Sequence, residues 1–254
     1  MKAKYAVSLM AAAIVFMISL TVQAANTDEQ IVSAAQKSYV FKTYLKNDDV
    51  KVQSKKGVVT LTGTVSEESH KALAQDTIAG MPGVKRIDNQ LKFKGEANAE
   101  NSDAWLMTKV KTSLLYHSSV SGFATEVDVK NGVVTLQGEA ASQAQKDLTT
   151  EYAKDVDGVK DVKNEMTVAK TPKKPGGQTT TLGEKIDDAS ITALVKSTLL
   201  YHRSTSGLNT KVVTKDGVVT LSGKAKNASE KELAAKYAKD VNGVKSVKNQ
   251  LTIQ

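Results

Sequence analysis

The sequence contains no cysteine, and only three histidines and one tryptophan occur among its 254 residues. Without cysteine the chain cannot form a disulfide, a thiolate nucleophile, a cysteine-ligated zinc site or an acylated lipoprotein anchor. Three histidines argue against a multi-histidine metal site. Aromatic residues make up only 5% of the chain, which indicates small domains with cores of Val, Leu, Ile and Ala. Together these absences argue against most enzyme classes.

The N-terminal residues have the pattern of a secretory signal peptide. Two lysines precede an uncharged stretch, residues 5–27, whose apolar part ends in the small-residue site Val22-Gln23-Ala24. This order predicts cleavage after Ala24, with Ala25 as the near alternative, and export to the periplasm of a Gram-negative cell. The rival interpretation is an uncleaved membrane anchor, which the many Ala, Ser and Thr residues of the stretch disfavour. No later segment is long and apolar enough to span a bilayer.

The rest of the chain repeats one unit three times. The motif Gly-Val-Val-Thr-Leu-x-Gly begins at Gly57, Gly132 and Gly217. A second glycine follows 26 residues later in every copy, and an asparagine six residues after that, at Asn89, Asn164 and Asn249. Markers in a fixed register predict three domains of about 70 residues each. We place the signal peptide at 1–24, the domains at 25–95, 101–169 and 186–254, and a flexible basic linker at 170–185.

Each unit predicts the same order of elements, α-β-β-α-β. The dipeptide Asn131-Gly132 and its counterparts are typical of hairpin turns, and alternating apolar residues flank them as strands. In copy two Leu148, Tyr152 and Val156 then lie on one side of a helix, and a third alternating strand follows. The sequence therefore predicts an α+β fold in which each domain is a three-stranded mixed sheet with two helices on one face.

The first helix of each unit is predicted from its cap and its apolar line. In copy two Ser102-Asp103 can cap a helix in which apolar residues start at Leu106 and recur every four residues, and copy three repeats this behind Asp187-Asp188. In copy one Gln36 stands at the place of Leu106, and the five residues around Tyr116-His117-Ser118 have no counterpart. Copy one is therefore predicted to depart most from the common pattern.

Nine repeated glycines are predicted to be structural. The first set makes the hairpin turns, because glycine tolerates positive φ: Gly57, Gly132 and Gly217. The second set lets the strand end approach a helix closely: Gly63, Gly138 and Gly223. The third set ends the second helix as a left-handed cap: Gly83, Gly158 and Gly243. The repeated asparagine is expected to be buried and hydrogen-bonded to the backbone of the preceding turn.

These motifs resemble the BON domain, a family named for bacterial osmotically inducible and nodulation-related proteins. The resemblance covers nearly the whole chain after residue 24, three times. It implies a periplasmic or outer-envelope protein of the osmotic-stress and envelope-integrity kind, with proposed binding to phospholipid surfaces. Osmotically inducible members commonly carry two copies, so three copies depart from that arrangement.

No group of residues predicts catalysis, a cofactor or a metal site. His117 and His202 follow a tyrosine at the end of the first helix, where an interaction with the helix dipole is expected. The segment Gly80-Met81-Pro82-Gly83 fits the GxxG loop with which KH domains grip RNA, but acidic residues at the same loop in the other copies argue against nucleic acid. Trp105 is predicted to be partly buried, an interdomain or membrane-interface contact being the alternative.

Charge distinguishes the three copies. Residues 25–99 carry 11 basic and 9 acidic side chains, residues 100–169 carry 7 and 11, and residues 187–254 carry 11 and 6. The net charges are therefore +2, −4 and +5, which favours an anionic partner for the third copy. The short link between the first two copies predicts a pair plus a tethered third domain. Docking of basic copy three on acidic copy two is the alternative.

The sequence predicts a non-enzymatic protein that binds an anionic phospholipid surface peripherally and supports the envelope under osmotic or envelope stress. The predicted contact is a set of lysines in copy three, each worth about 1 kcal/mol near an anionic leaflet. Its members are Lys224, Lys226, Lys231, Lys236 and Lys239. The alternative is a chaperone-like protein that shields unfolded or envelope proteins. The residues identify no lipid species, no client and no oligomeric state.

Overall fold

Each repeat folds into a small α+β unit in a computed structural model that describes residues 27–94, 102–169, 186–205 and 210–254. The predicted signal peptide, the segment 95–101 and the linker 170–185 lie outside the described residues. The first copy contains helical residues 27–37 (α1), Tyr39–Thr43 (α2), Asp49–Lys55 (β1), Val58–Val65 (β2), Glu68–Ala79 (α3), Arg86–Asn89 (β3) and Lys92–Phe93 (β4).

The second and third copies repeat this order with an unbroken first helix. The second contains Asp103–Tyr116 (α4), Thr125–Lys130 (β5), Val133–Ala140 (β6), Gln143–Asp155 (α5), Asp161–Asn164 (β7) and Thr167–Val168 (β8). The third contains Asp188–Tyr201 (α6), Thr210–Lys215 (β9), Val218–Ala225 (β10), Ala228–Asp240 (α7) and Ser246–Ile253 (β11).

The sheets are mixed, as the sequence predicts. In every copy the middle strand pairs antiparallel with the first strand through a hairpin and parallel with the last strand across the second helix. The last strand is one continuous strand in copy three and is divided into two pieces in the other copies. The order α-β-β-α-β and the α+β class are confirmed.

The core lies between each sheet and its helices. In β2 the side chains of Val59, Leu61 and Val65 are fully buried, and in α3 Leu73 and Ile78 meet them. The residues that alternate with them on β2 are only partly buried. Each fully buried aliphatic side chain stabilises the fold by about 1.5–3 kcal/mol, so the alternating pattern alone favours helices on one face.

An aspartate at the start of each first helix anchors the hairpin turn. In copy two the Asp103 carboxylate accepts hydrogen bonds from the backbone N–H groups of Asn131 (2.6 Å) and Gly132 (2.8 Å), whose φ angles are 53° and 81°. Two consecutive positive φ angles define a type I′ turn. Asp28 and Asp188 make the same bonds in their copies. Each aspartate precedes the turn glycine by 29 residues, so this is a fourth repeat marker.

This register corrects two expectations about copy one. Counted from Asp28, the residue equivalent to Leu106 is Ile31 and not Gln36, and Ile31 is buried. The number of residues from the aspartate to the turn glycine is the same in all copies, so copy one has no five-residue deletion. The actual difference is a break in its first helix at Ser38.

The break at Ser38 lets copy one dock on copy three. The freed backbone N–H groups of Tyr39 and Val40 donate to Asp187 Oδ2 (2.8 Å) and Ser190 Oγ (3.1 Å) at the start of α6. Helix α3 packs along α6, where Lys196 Nζ lies 3.1 Å from Asp76 Oδ1. Copy three also contacts copy two, as described below. The prediction that copy three is only tethered is therefore wrong, whereas copies one and two do touch, through Tyr44 and Tyr116.

For two of the three sets of repeated glycines, the structure shows other surroundings than those predicted. Helix α5 ends at Asp155, and Gly158, with φ of 96°, is the third residue of a β-turn closed by a 3.1 Å bond from Val159 N to Val156 O. It is thus not a helix cap, and Gly83 and Gly243 also lie beyond their helices, which end at Ala79 and Asp240. At Gly63 a Cβ would lie 1.8 Å from the backbone oxygen of Asp49. The close approach there is to the first strand and not to a helix.

The repeated asparagine ties the last strand to the second helix. Asn164 Nδ2 donates to the carbonyl of Lys146 in α5 at 2.9 Å, and its Oδ1 accepts from Met166 N at 3.0 Å. Asn89 and Asn249 make the same pair of bonds. The side chain is half-buried, and its backbone acceptor belongs to the helix, so the expected bond to the preceding turn is wrong.

Candidate functional site

Four of the five predicted contact lysines lie on or beside helix α7. Lys236 and Lys239 are exposed and Lys231 is half-buried on the helix, and Lys226 is exposed just before it. Glu232 is exposed among them, so this helix surface is basic but not purely so. Lys239 Nζ donates to the carbonyl of Lys245, which holds that ammonium group beside the following turn.

Lys224 lies on the opposite side of the domain. On β10 the buried residues Val219, Leu221 and Ala225 face the helices, so Lys224 points to the open face of the sheet. Cross-strand pairing puts three more exposed lysines on that open face: Lys211, Lys215 and Lys248. Lys224 therefore does not extend the surface of α7, and copy three presents two separate basic surfaces.

The basic character is specific to copy three. In copy two the same register places Glu139, Ala141 and Glu151 where copy three has Lys224, Lys226 and Lys236. Only Lys231 and Lys239 have lysine counterparts, Lys146 and Lys154. The two copies share the same fold, so the exposed charge is what most distinguishes them to an anion.

Copies two and three pair through an interface with approximate two-fold symmetry, which sequence reasoning missed. The residue after each first helix, His117 or His202, forms a β-bridge with the other copy, to Val241 and Val156 respectively. Matching backbone bonds run both ways, from Ser118 N to Asp240 O (2.7 Å) and from Arg203 N to Asp155 O (2.8 Å). This arrangement agrees with the alternative prediction, in which basic copy three docks on acidic copy two.

The two histidines meet at the centre of this interface. Each is only 1% exposed, and their Nε2 atoms lie 3.1 Å apart. His117 Nδ1 lies 3.2 Å from Asp240 Oδ2 and His202 Nδ1 lies 3.2 Å from Asp155 Oδ2, in each case a carboxylate of the other copy, although the ring N–H direction is not aligned for a hydrogen bond. The predicted interaction of each histidine with a helix dipole does not account for this pairing.

Two tyrosines complete the cluster by crossing the interface. Tyr152 stacks on His117 of its own copy, with ring centroids 3.8 Å apart, and its hydroxyl donates to Asp240 Oδ2 at 2.6 Å. Tyr237 stacks on His202 at 4.2 Å and donates to Asp155 Oδ2 at 2.7 Å. Serine hydroxyls satisfy the second oxygen of each carboxylate: Ser118 and Ser119 at Asp240, and Ser204 at Asp155.

The surroundings shift the pKa values of these groups. Burial tends to raise the pKa of Asp240, but the nearby His117 ring and hydrogen bonds from Ser119 and Tyr152 outweigh it and the pKa is lowered. Asp155 is lowered in the same way by the corresponding partners. Burial is the main reason why the pKa of His117 is lowered. The pKa values of both tyrosines are raised by burial and by the neighbouring carboxylates.

Copy one lacks every member of this cluster. Its equivalents of the histidine, the tyrosine and the aspartate are Lys42, Thr77 and Gly80. The signal that could have revealed the interface is therefore in the sequence. A histidine, a tyrosine and an aspartate at distant positions occur in both copies two and three, and all three are missing from copy one.

A cleft of about 530 Å³ lies between the copies, lined among others by Phe93, Trp105 and Tyr201. Trp105 is partly buried there, and Lys109 Nζ lies 3.8 Å above its ring, a cation–π geometry. Within the described ranges no group of three or more His, Cys, Asp or Glu residues could hold a metal ion. No helix in that same part of the chain is both long enough and apolar enough to cross a membrane.

Comparison with known proteins gives one consistent relationship. The family model of the BON domain matches residues 27–95, 102–170 and 187–254. The chain is 32% identical over 193 residues to the osmotically-inducible protein Y of Escherichia coli K12, a match over 76% of this chain and 92% of that protein. It is 30% identical over 165 residues to the outer membrane lipoprotein DolP of Haemophilus influenzae, over 65% and 74%. A 21 kDa hemolysin of Actinobacillus pleuropneumoniae is 33% identical over 115 residues, 44% of this chain and 59% of the hemolysin.

Proposed function

The chain belongs to the BON-domain family, and from this we propose a non-enzymatic periplasmic protein that docks on anionic phospholipid surfaces through its third domain. It would support the envelope under osmotic or envelope stress. The names of its relatives support this context, since one is osmotically inducible and another is an outer membrane lipoprotein. The signal-peptide pattern of residues 1–24 supports export.

The observation that carries the lipid proposal is the charge of copy three. Residues 187–254 have a net charge of +5 on the same fold that carries −4 in residues 100–169. Lysines near an anionic leaflet contribute about 1 kcal/mol each, and the contribution falls off within a Debye length. A few exposed lysines on α7 would thus give reversible, salt-sensitive attachment without insertion of the chain into the bilayer.

Histidine and aspartate, the residue types most used in acid–base catalysis, serve structural contacts in this chain. His117 and His202 face each other inside an interface, and the carboxylates beside them accept hydrogen bonds from the protein, three at Asp240 and two at Asp155. His70 is bonded to Asp48, 2.6 Å away, in copy one. This supports a binding role over a catalytic one.

Vesicle co-sedimentation of the full chain tests the proposal. We expect binding to phosphatidylglycerol vesicles that weakens with salt, and little binding to phosphatidylcholine vesicles. The Lys231/Lys236/Lys239→Glu variant should bind about 100-fold more weakly, since about 3 kcal/mol of attraction is lost. The matched control is Lys146/Lys154→Glu at equivalent positions of copy two, which should bind like the wild type.

A second variant distinguishes the two basic surfaces of copy three. If Lys211/Lys215/Lys248→Glu abolishes binding and the α7 variant does not, copy three is the contact but α7 is not the surface. If neither variant changes binding, the assignment to copy three is wrong. Protection of unfolded clients without any vesicle binding would instead favour the chaperone-like alternative.

A further inference from the structure

His117 and His202 are buried ionisable groups that take no part in the proposed membrane docking. They come from elements 85 residues apart in sequence, yet they are brought to 3.1 Å with both rings removed from solvent. Buried ionisable groups at an interface make its stability depend on pH whenever the open and closed forms bind protons differently. The effect of pH on this interface therefore depends on how many protons the closed histidine pair can hold.

The distance between the two Nε2 atoms fixes that number. At 3.1 Å the contact is a hydrogen bond, so one Nε2 carries a proton and the other accepts it. A second proton would place two N–H groups head to head. Their hydrogens would lie about 1 Å apart, because a donor hydrogen takes up about 1 Å of the donor–acceptor distance. Ser113 Oγ lies 3.1 Å from His202 Nε2, so that nitrogen has a second hydrogen-bonding partner besides His117.

We propose that acidification opens the interface between copies two and three, because the closed histidine pair holds one proton on its facing nitrogens and the separated histidines hold two. The two doubly protonated rings cannot approach to 3.1 Å, so the second proton and the closed interface exclude each other. Above the ordinary pKa of histidine, about 6.5, the separated rings are neutral and the closed form is favoured.

The charged neighbours do not remove this conflict. Asp240 and Asp155 face the Nδ1 atoms, Tyr152 and Tyr237 cover the rings, and Glu151 and Arg203 lie at the rim. The two carboxylates can neutralise the charge of two imidazolium rings, but they lie beside Nδ1, on the far side of each ring from the Nε2 contact. They cannot separate the two hydrogens between the Nε2 atoms, so the steric conflict decides the outcome. The lowered pKa of His117 agrees with this sign.

The opening is confined to one of the two contacts made by copy three. Copy one has Lys42 at the position of the histidines and docks through Tyr39 and Val40 on Asp187 and Ser190. None of these groups is a histidine. Copy one also touches copy two, where Tyr44 packs edge-on against Tyr116 and its hydroxyl donates to the carbonyl of Leu115 at 3.4 Å. Mild acid should therefore open the interface of copies two and three, while copy one keeps its contacts with both.

Energy transfer within the full chain tests the opening directly. The chain has no cysteine, so Asp147→Cys and Glu232→Cys introduce two label sites at equivalent exposed positions of α5 and α7. We expect transfer between the labels to fall reversibly as the pH is lowered from 8 to 5. One proton taken up on opening raises the opening equilibrium constant by up to tenfold per pH unit below about 6.5. Transfer that stays constant from pH 8 to 5 would overturn the proposal.

Two variants and one NMR measurement test this interpretation. In His202→Gln the amide can donate to His117 Nε2 without titrating, so the transition should disappear, whereas His70→Gln in copy one should keep it. An unchanged midpoint in His202→Gln contradicts the proposal. If that variant is open at every pH, ¹⁵N spectra of the wild-type histidines decide. The proposal requires one protonated and one unprotonated Nε2 in the closed pair at pH 7.5, and two protonated or two unprotonated atoms refute it.

Discussion

Single residues of this chain act mainly by fixing backbone shape and by satisfying buried polar groups. Glycines with positive φ recur at three positions of every copy, but what surrounds them differs. At Gly132 an added Cβ would meet only the flexible side chain of Lys160, at 3.0 Å. At Gly63 it would meet a backbone oxygen at 1.8 Å. Glycines that share a positive φ therefore tolerate substitution to different degrees.

Gly63→Ala should destabilise its domain much more than Gly132→Ala. The second change forces a left-handed conformation on a residue with a Cβ, which costs about 1 kcal/mol. The first adds an overlap with backbone that cannot move without unpairing β1 and β2, and roughly 3 kcal/mol or more is expected. Urea unfolding of the two variants measures the difference. Equal losses of stability would show that the contact at Asp49 is not rigid.

Tyr152→Phe should weaken the pairing of copies two and three by about 1–3 kcal/mol. The ring can still stack on His117, but Asp240, a partly buried carboxylate, loses one of its hydrogen bonds. Tyr237→Phe should act equally, because the interface is symmetric. The pKa of Asp240, followed by NMR, should rise in Tyr152→Phe and stay unchanged in Tyr237→Phe. The reverse pattern would contradict the crossed arrangement.

At the scale of elements, the aspartate at the start of the first helix joins three parts of each domain. It lies in the first turn of the helix, where the dipole favours an anion, and it bonds both N–H groups of the hairpin turn. The hairpin in turn carries the two antiparallel strands. One side chain thus sets how the helix lies on the sheet.

Asp103→Ala should cost about 2 kcal/mol, since hydrogen bonds to charged acceptors contribute about 1.5–3 kcal/mol. Amide hydrogen exchange of Asn131 and Gly132 should accelerate, whereas the turn at Gly57 in copy one serves as an internal control. Asp103→Asn should recover part of the loss because its oxygen can still accept one bond. Protection of the copy-two turn that is unchanged in Asp103→Ala would rule out the anchoring role.

At the scale of the whole molecule, copy three holds the assembly together. Its helix α6 meets copy one at its start and copy two at its end, and it is buried over most of its length. Separate contacts of different chemistry join the three copies. Each of these contacts should therefore respond to a different substitution or change of pH.

Asp187→Ala should release copy one from copy three. The carboxylate accepts the Tyr39 N–H and also caps α6, so part of the effect is a lost helix cap worth about 1 kcal/mol. Ser102→Ala removes the equivalent cap of α4, for which the described part of the chain shows no such bond to another copy, and controls for that part. Small-angle scattering should show a larger radius of gyration only for Asp187→Ala. Identical curves would contradict docking through this residue.

Strong acid should weaken the same interface in a second, separate step. The pKa values of Asp155 and Asp240 are lowered in the folded chain, so their stabilising contribution is complete above the unfolded value of about 3.9. It is lost as the pH falls below about 4 toward the lowered values. The melting temperature of Asp155→Asn/Asp240→Asn should lack this lower step. A wild-type-like decline between pH 4 and 2 in that variant would exclude these carboxylates as the cause.

The sequence by itself determined the fold of each domain, because turn glycines, capping residues and apolar periodicity are local and recur in a fixed register. Local patterns did not show which copies pair; only a comparison of the three copies at distant positions carries that signal. Tyr152 and Tyr237 lie on the apolar line of a helix, and His117 and His202 stand where a helix-ending histidine is ordinary. Only the meeting of surfaces more than 80 residues apart gives these residues their partners. Such complementarity depends on how two finished domains fit together, and no local pattern encodes it.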